Sequence, residues 1–496
     1  MGRVLSFLAF ILLSSSGHAS RVLLIGGGYE PSASQAVLEL NTQIATDLWT
    51  TSNSNALMRV LYGGGQDHEI LDVVEKVSEP TQAQQLFSDI FFESQCVGCE
   101  YRHNHLQMID GAATQSEVSL RLKELGTELR SDEKVRLYYT GHGHGGHDPD
   151  LDGENYRNNY LNLWDGTMDV QTFTSELDEL PKETPIQAVM VQCFSGGFAM
   201  MNFQGGKAVA GQEMESLSDA NRCGFFSQIP QMPAAGCSES LLHREEYSPY
   251  FWSAYRGSDE KGNAVDADYN RDGRITSDEA HAYVVIHEDA EDVPVTTSQM
   301  LIQDFVALKE VSVSAKRATW SVLMESMTDS EKAIVLGLHQ QLEFDLTSQD
   351  PAIGQLKKAV QEISLVVKGM TEVKRGLTET YLGHRKVIYR DIVDRFPMLG
   401  SNLPMVFDVG LKAKSSQAWE RFQNHPRLGE LQKAYDYVAA MESEIDSANR
   451  RLTKWQRLAF LTGQKILEGK IPEMPQRLQD KFKQLKACEA EPFIAN

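Results

Sequence analysis

The chain is poor in four features that would each point to a particular class of protein. Its 496 residues include six cysteines, too few for a fold that depends on a dense disulfide framework. The 47 basic residues against 69 acidic ones give a formal charge of −22, which argues against nucleic acid or an anionic membrane as the main partner. Beyond the N terminus no apolar run approaches about 20 residues, so no transmembrane segment is predicted. The lack of any Asn-x-Ser/Thr sequon favours a bacterial exported protein.

The N terminus has the pattern of an export signal. Arg3 precedes an apolar stretch over 4–13, and small residues at Gly17 and Ala19 frame a cleavage site. We therefore predict a signal peptide over 1–19 and a soluble product that is secreted or periplasmic. The opening residues also fit a myristoylation pattern, although the apolar stretch behind them favours export.

The rest of the chain divides into two halves. Over 20–295, short β-rich apolar runs alternate with glycine-rich breaks and helical periodicity, as in an α/β fold with a mainly parallel sheet. Over 296–496, apolar residues recur at near-heptad spacing, which predicts an α-helical domain of long, packed helices. All of the acidic excess lies in the first half, so the helical half could dock on it or recruit a protein partner. The runs expected to form central strands are 22–25, 57–62, 135–139 and 186–192.

Two of these runs end in residues that can carry out chemistry. His142 and Gly143 closely follow the third run, and Cys193 directly follows the fourth. Because parallel strands present their carboxyl ends at one edge of a sheet, the imidazole and the thiol should meet there. Such a pair suits nucleophilic catalysis, in which the imidazole helps to form the thiolate and protonates the leaving amine.

These paired blocks resemble the clan of cysteine peptidases that includes legumain, the caspases, gingipain and clostripain. The matching residues are His142 with Gly143, and Cys193 with Ser195 and Gly196, in legumain-like order and about fifty residues apart. The resemblance covers roughly 21–290 and implies a caspase-like α/β/α sandwich. It also implies that Cys193 attacks a peptide carbonyl, that His142 acts as acid and base, and that the N–H groups of Gly143 and Cys193 form an oxyanion hole.

The segment after the first strand departs from the pattern of the clan. Legumain-like enzymes have there an Asn that orients the histidine and a basic residue that binds an acidic P1 side chain, whereas this chain has GGGYEP at 26–31. The sequence therefore does not determine the preferred P1 residue. The acidic side chain of Glu30 is consistent with a basic P1 side chain. In legumain a helical C-terminal region caps the active site, so the resemblance suggests that 296–496 inhibits the enzyme or recruits a partner. Inhibition predicts that deleting this region raises activity on small peptides.

Other interpretations of the same residues stay open. Cys193 could be an inert thiol at a strand end, with the histidines filling a polar loop. His142, His144 and His147 with Asp148 could instead form a zinc site, since closely spaced histidines are ordinary zinc ligands. The main prediction is an exported cysteine endopeptidase that hydrolyses polypeptides. The alternative from another class is a non-enzymatic calcium-binding interaction protein on a caspase-like scaffold.

A second motif predicts calcium as a bound cofactor. Residues 268–279 fit the twelve-residue EF-hand loop, with oxygen ligands at alternate positions and a glycine at the turn. The expected ligands are Asp268, Asn270, Asp272, the carbonyl of Arg274, Thr276 and the closing Glu279. A weaker relative opens with Asp148, Asp150 and Asp152 but has Asn159 at position twelve. Calcium bound there would stiffen the histidine loop.

The remaining cysteines can form disulfides in an exported protein. Cys223 and Cys237 flank a proline-containing segment and are the pairing that we favour. Cys96 and Cys99 could form a redox pair, a short-loop disulfide or part of a zinc site, of which the local disulfide is favoured. Cys488 is then left over and is expected to be peripheral.

Overall fold

A computed structural model describes most of the chain. The described residues are 20–52, 56–67, 69–92, 96–130, 133–148, 153–238, 240–241, 244–306, 312–313, 315–400 and 417–494. The predicted signal peptide over 1–19 lies outside these ranges. So do Asp150 and Asp152, two of the predicted calcium ligands.

A six-stranded sheet forms the centre of the first half. The described strands are β1 (Ser20–Gly26), β2 (Leu57–Tyr62), β3 (Val73–Lys76), β4 (Cys99–Arg102), β5 (Lys134–Thr140), β6 (His142–His144), β7 (His147–Asp148), β8 (Gly153–Glu154), β9 (Tyr160–Leu163), β10 (Gly166–Asp169), β11 (Ile186–Met190), β12 (Arg222–Phe226) and β13 (Val295–Thr296). The central sheet has the order β13-β12-β11-β5-β1-β2. All its neighbouring pairs are parallel except β12 with β13. The predicted mainly parallel α/β sheet is confirmed, and the four apolar runs supply β1, β2, β5 and β11.

Helices cover both faces of this sheet. The described α-helices are α1 (Ala36–Thr51), α2 (Gln82–Phe91), α3 (Gln115–Glu128), α4 (Val170–Asp178), α5 (Glu213–Ser216), α6 (Tyr247–Arg256), α7 (Ser277–His287), α8 (Thr297–Phe305), α9 (Trp320–Glu325), α10 (Asp329–Leu342), α11 (Ala352–Val393), α12 (Gln417–Gln423), α13 (Leu428–Glu468) and α14 (Gln476–Glu489). Side chains alternate along each strand, so Leu23 faces one layer and Val22 the other. The first layer includes α3, α4 and α14, and the second includes α1, α6 and α7.

The predicted helical C-terminal region is confirmed, and a long antiparallel hairpin dominates it. Helices α11 and α13 contain 42 and 41 residues, so each is about 60 Å long at 1.5 Å per residue. At one end of the hairpin, Leu356 and Leu458 pack into a core shared with α7 and α10. At the other end, Ile388 packs with Phe87 of α2. The hairpin is therefore attached to the first half of the chain at both of its ends.

The C-terminal end of the chain is part of the sheet layers. Leu478, Leu485 and Cys488 of α14 lie in the core on one face, and Phe493 is buried among aromatic side chains on the other. Arg136 of β5 donates hydrogen bonds to the carbonyls of Pro492 and Phe493. Removing these last residues would expose apolar surface on both faces of the sheet.

Candidate active site

His142 and Cys193 follow neighbouring parallel strands. β5 and β11 pair in register, with Tyr139 opposite Met190, and each candidate lies three residues beyond its member of that pair. Both residues therefore emerge at the carboxyl edge of the sheet, where such folds bind their ligands. Cys193 is partly exposed. Within the described residues no hydrogen bond joins its sulfur to His142, which is a geometry that resting cysteine peptidases can adopt before substrate arrives.

The ring of His142 is held in one tautomer. Its Nε2 lies 2.8 Å from the carbonyl oxygen of Ala33 and 2.9 Å from Oε1 of Gln35. Both partners accept hydrogen bonds, so Nε2 must carry the proton. Nδ1 is then the basic nitrogen. The ring of Tyr29 packs edge-on against the imidazole, with 5.5 Å between ring centroids.

The glycine-rich segment after β1 creates this contact. A side chain on Gly28 would place its Cβ 2.0 Å from the carbonyl oxygen of Ala33, so the backbone can fold back this closely only without one. The N–H of Gly28 also donates to Oγ of Ser34, which closes the turn. This chain therefore orients its histidine with the Ala33 carbonyl and Gln35.

Cys193 lies in a turn pressed against the histidine strand. Its sulfur donates to the carbonyl of Ala234 at 3.5 Å, and Phe194 adopts a left-handed conformation with φ of 60°. A Cβ on Gly143 would lie 2.6 Å from Cγ of Gln192 and 2.7 Å from the Cys193 carbonyl. Glycine at 143 thus brings the backbones of the two blocks into direct contact. The backbone N–H of Cys193 donates to no backbone carbonyl of the described residues.

Burial keeps both candidate groups neutral. It raises the pKa of the Cys193 thiol; the hydrogen bond to Ala234 opposes this rise, and the carboxylate of Asp292 adds to it. Burial also lowers the pKa of His142, which the hydrogen bond to Ala33 partly offsets. Near neutral pH the resting pair is a thiol and an imidazole rather than an ion pair. The imidazole is therefore available as a general base.

Asn159 joins three loops around the site. Its Oδ1 accepts from the N–H of Gly146 at 2.9 Å, and its Nδ2 donates to the carbonyls of Phe194 and Pro230 at 2.8 and 3.0 Å. The side chain is fully buried. Sequence reasoning considered this residue only as a poor closing ligand for calcium, and nothing in its sequence context marks it as a link between distant loops.

A loop after β12, residues 228–237, forms the wall beside Cys193. Sγ of Cys237 lies 3.4 Å from Nδ1 of His142, so this second thiol contacts the basic nitrogen. The carboxylate of Asp292 accepts from the N–H of Ala235 at 3.0 Å and from Nε2 of Gln228 at 3.2 Å. Burial raises the pKa of Asp292 to about 7. No sequence pattern marks Asp292, because its hydrogen-bond partners are far away in the chain.

The predicted pairing of Cys223 with Cys237 is wrong. Cys223 lies near the start of β12 and forms a disulfide with Cys488 of α14, a residue 265 positions later. The strand separates the two predicted partners, because it carries the chain from Cys223 to the opposite edge of the sheet, where Cys237 meets His142. Cys488 is buried rather than peripheral. The predicted local disulfide between Cys96 and Cys99 is confirmed.

The predicted calcium loop is a compact turn ahead of α7. The carboxylate of Asp268 accepts from the N–H groups of Asp272 and Gly273, and Oδ1 of Asp272 accepts from the N–H of Arg274. The carboxylate of Glu279 is buried and caps α7 at Thr276 while it also accepts from the N–H of Asn270. The helix before the loop, α6, ends at Arg256, well ahead of Asp268.

No metal-binding cluster is formed by the side chains that the structure describes. No group of three or more His, Cys, Asp or Glu side chains among them is placed to hold a metal ion. His144 stacks on Tyr160 and contacts Oδ1 of Asn162. Asp148 ends β7.

The chain has few detectable similarities to known proteins. No protein-family model and no curated protein matches the chain. Sixteen chains of solved structures match, one of them the protein GSU0716 from Geobacter sulfurreducens. It shares 10% identity over 54% of this chain and 88% of its own, with a TM-score of 0.32. Of the described helices, none is both long and apolar enough to cross a bilayer.

Proposed function

We propose that this protein is a cysteine endopeptidase of the legumain and caspase type, with Cys193 as nucleophile and His142 as general acid and base. The observation that supports this most is the fixed tautomer of His142. Its Nε2 is occupied by the Ala33 carbonyl, which leaves a basic Nδ1 at the same sheet edge as the Cys193 thiol. The order of the central strands, with an antiparallel strand at one end, is compatible with the caspase-like sandwich.

In the first chemical step, Nδ1 of His142 takes the proton of the Cys193 thiol as the sulfur attacks a peptide carbonyl carbon. The carbon–sulfur bond forms, and the carbonyl electrons move onto the oxygen. The N–H groups of Gly143 and Cys193 would stabilise this oxyanion, and one such donor is typically worth about 3 kcal/mol in the transition state. His142 then returns the proton to the leaving amine as the peptide bond breaks.

The second step releases the acyl group. A water molecule gives its proton to Nδ1 of His142 and attacks the thioester, and the sulfur leaves and regains the proton. Throughout both steps the hydrogen bond from Nε2 to Ala33 keeps the ring in place. It also stabilises the imidazolium that forms each time Nδ1 takes a proton.

Calcium and export complete the proposal. Asp268, Asn270, Asp272, Thr276 and Glu279 offer the oxygen ligands that calcium prefers. The carbonyl of Arg274 would be a further ligand. The ion would stiffen the start of α7. We place the enzyme outside the cytoplasm on the basis of the N-terminal sequence.

The test is cleavage of a library of short peptides by the purified full-length protein. We expect hydrolysis that is abolished in Cys193→Ala and in His142→Ala but persists in Cys237→Ala, the matched control for a second thiol beside the same ring. Absence of cleavage by the parent protein under reducing conditions, with and without calcium, would overturn the proposal. Equal hydrolysis by Cys193→Ala would assign the chemistry to another residue.

A non-enzymatic calcium-binding interaction protein is the second candidate. The long α11–α13 hairpin favours it, because apolar side chains such as Leu365, Val366 and Val373 are exposed on α11 and could contact a partner. This role would leave Cys193 and His142 without function. A protein that binds a partner equally well in the Cys193→Ala/His142→Ala double variant, and cleaves no peptide, would favour this candidate.

A further inference from the structure

One buried arginine connects the helical region to the wall of the candidate site. Arg457 of α13 has a side chain with 1% of its surface exposed. Its guanidinium donates to the carbonyls of Val285, Glu288, Ala290 and Asp292 at 2.7 to 3.1 Å. It also donates to the carboxylate of Glu288, which is completely buried. Arg457 thus donates to four backbone carbonyls within residues 285–292.

This backbone segment in turn holds the 228–237 loop. Asp292 accepts from the N–H of Ala235 through both carboxylate oxygens, at 3.0 and 3.1 Å. Gln228 donates to Asp292 and to the carbonyl of Pro233, and its Oε1 accepts from the N–H of Val293. The next contact reaches the proposed nucleophile, because the carbonyl of Ala234 accepts a hydrogen bond from Sγ of Cys193. Three residues therefore connect Arg457 to the nucleophile: Asp292, Ala235 and Ala234.

We propose that Arg457 is a positioning residue for the active site, and that the helical region is required for activity instead of being a removable inhibitor. This inference rests on the proposed peptidase function. Lysine cannot replace the arginine, because four carbonyls and a carboxylate surround a planar group with five donors, whereas an ammonium has three. The inference reverses the expectation that deleting 296–496 raises activity.

The attachment of the helices themselves does not depend on Arg457. α14 is held by the Cys223–Cys488 disulfide, and Glu489 accepts hydrogen bonds from Thr297 and Ser298. Leu458 and Trp455 pack in the adjoining core. An Arg457 variant should therefore keep its helices while the 285–292 segment and the loop that it supports shift.

Arg450 provides a matched control on the same helix. It lies two turns before Arg457 and forms ion pairs with Glu245 and Asp289, but 35% of its side chain is exposed. Exposed pairs of this kind contribute little to stability. Arg450→Met thus removes an arginine from α13 without touching the carbonyls around Arg457.

The experiment measures the rate at which a peptidyl thiol-reactive probe labels Cys193 in the full chain. We expect Arg457→Ala and Arg457→Lys to label about 10²-fold more slowly, and Arg450→Met to match the parent protein. Methylguanidinium, but not ammonium, should restore labelling in Arg457→Ala. A folded Arg457→Ala protein that labels at the parent rate would show that the residue serves stability alone, and would overturn the inference.

Two further measurements distinguish failure of this inference from failure of the variant to fold and from failure of the proposed function. If Arg457→Ala fails to fold, the double variant Arg457→Met/Glu288→Leu replaces it. This variant removes both buried charges, an exchange that is often neutral for stability. Its rate of Cys193 labelling is then compared with that of the parent protein. If the probe does not label Cys193 in the parent protein, the proposed function fails. The positioning claim is then tested alone by the alkylation rate of Cys237, which should change in Arg457→Ala and stay unchanged if the loop does not depend on Arg457.

Discussion

The Nε2 atom of His142 donates to the carbonyl oxygen of Ala33 across 2.8 Å, and this contact decides which ring nitrogen can act as a base. The carbonyl comes from the turn after β1, and the histidine is the first residue of β6, which closely follows β5. Because these two strands are neighbours in the sheet, the fold itself brings the two loops together. Nδ1 is left as the basic nitrogen and faces the thiol of Cys237.

The pH dependence of activity should reflect the burial of His142. Burial lowers its pKa below the ordinary histidine value of about 6.5. The imidazole therefore stays unprotonated, and able to accept a proton, at pH values somewhat below 6.5. We expect kcat/KM for a peptide to fall only as the pH drops through this lowered pKa. The measurement is a pH profile of kcat/KM, whose acid limb reports the free enzyme. An acid limb centred at or above the ordinary histidine pKa would contradict this assignment.

Gly28→Ala should damage the site and spare the fold. Its Cβ would lie 2.0 Å from the Ala33 carbonyl oxygen and 2.6 Å from the Ser34 nitrogen, so the turn must move away from His142. A shift of about 1 Å in a catalytic group can cost about 10²-fold in rate. Peptide hydrolysis measures the loss, and circular dichroism checks the fold. Gly369→Ala is the control, since nothing lies within 4 Å of a Cβ there, and it should retain full activity.

Asn159→Ala should lower both stability and activity. The change leaves the buried N–H of Gly146 and the carbonyls of Phe194 and Pro230 without this partner, which we expect to cost about 2–4 kcal/mol. Urea unfolding measures the stability, and peptide hydrolysis measures the activity. Asn263→Ala, in an exposed turn, is the control and should change neither. Activity equal to that of the parent protein in Asn159→Ala would show that the three loops hold the site without it.

The disulfide between Cys223 and Cys488 should stabilise the whole molecule. It closes a loop of 265 residues, and removing a bridge of this kind typically costs about 2–5 kcal/mol. We expect a clear fall in the urea midpoint for Cys223→Ala/Cys488→Ala. The matching Cys96→Ala/Cys99→Ala variant breaks a bridge between residues only three positions apart and should change the midpoint far less. Equal effects of the two double variants would contradict this prediction.

Calcium should raise the melting temperature of the protein. A ligand that binds only the folded state adds about 3 kcal/mol of stability at about 100 times its Kd. Differential scanning fluorimetry with calcium and with chelator measures the shift. We expect Asp268→Asn/Asp272→Asn to lose the shift and Asp266→Asn, whose exposed carboxylate pairs with Arg271, to keep it. A melting temperature that chelator does not alter would remove calcium from the proposal.

The parts of the fold that the sequence predicted are those with local signals. Continuous apolar runs such as 135–139 indicate buried parallel strands, and a parallel sheet then brings His142 and Cys193 to one edge. The contacts that complete the site are not local. Each one joins residues that are far apart in the chain: the carbonyl of Ala33 accepts from His142, and the side chains of Asn159 and Asp292 bind backbone groups of other loops. No spacing or residue type distinguishes these three residues from ordinary loop residues.

The disulfide shows the same limit. Cys223 and Cys237 are close in sequence and flank a turn, which makes them an attractive pair, but a strand places them at opposite edges of the sheet. The true partner, Cys488, is brought to Cys223 by the packing of α14 on the sheet. Closeness in sequence therefore predicted the wrong disulfide, because tertiary packing determines which cysteines meet.

The most direct test of the central claim is to map the adduct of a peptidyl thiol-reactive probe by mass spectrometry of the intact, folded protein. We predict one adduct, on Cys193, which disappears in Cys193→Ala and is strongly slowed in His142→Ala but persists in Cys237→Ala. Modification of Cys237 alone, or of Cys193 at the same rate with and without His142, would contradict the assignment of these two residues as a catalytic pair.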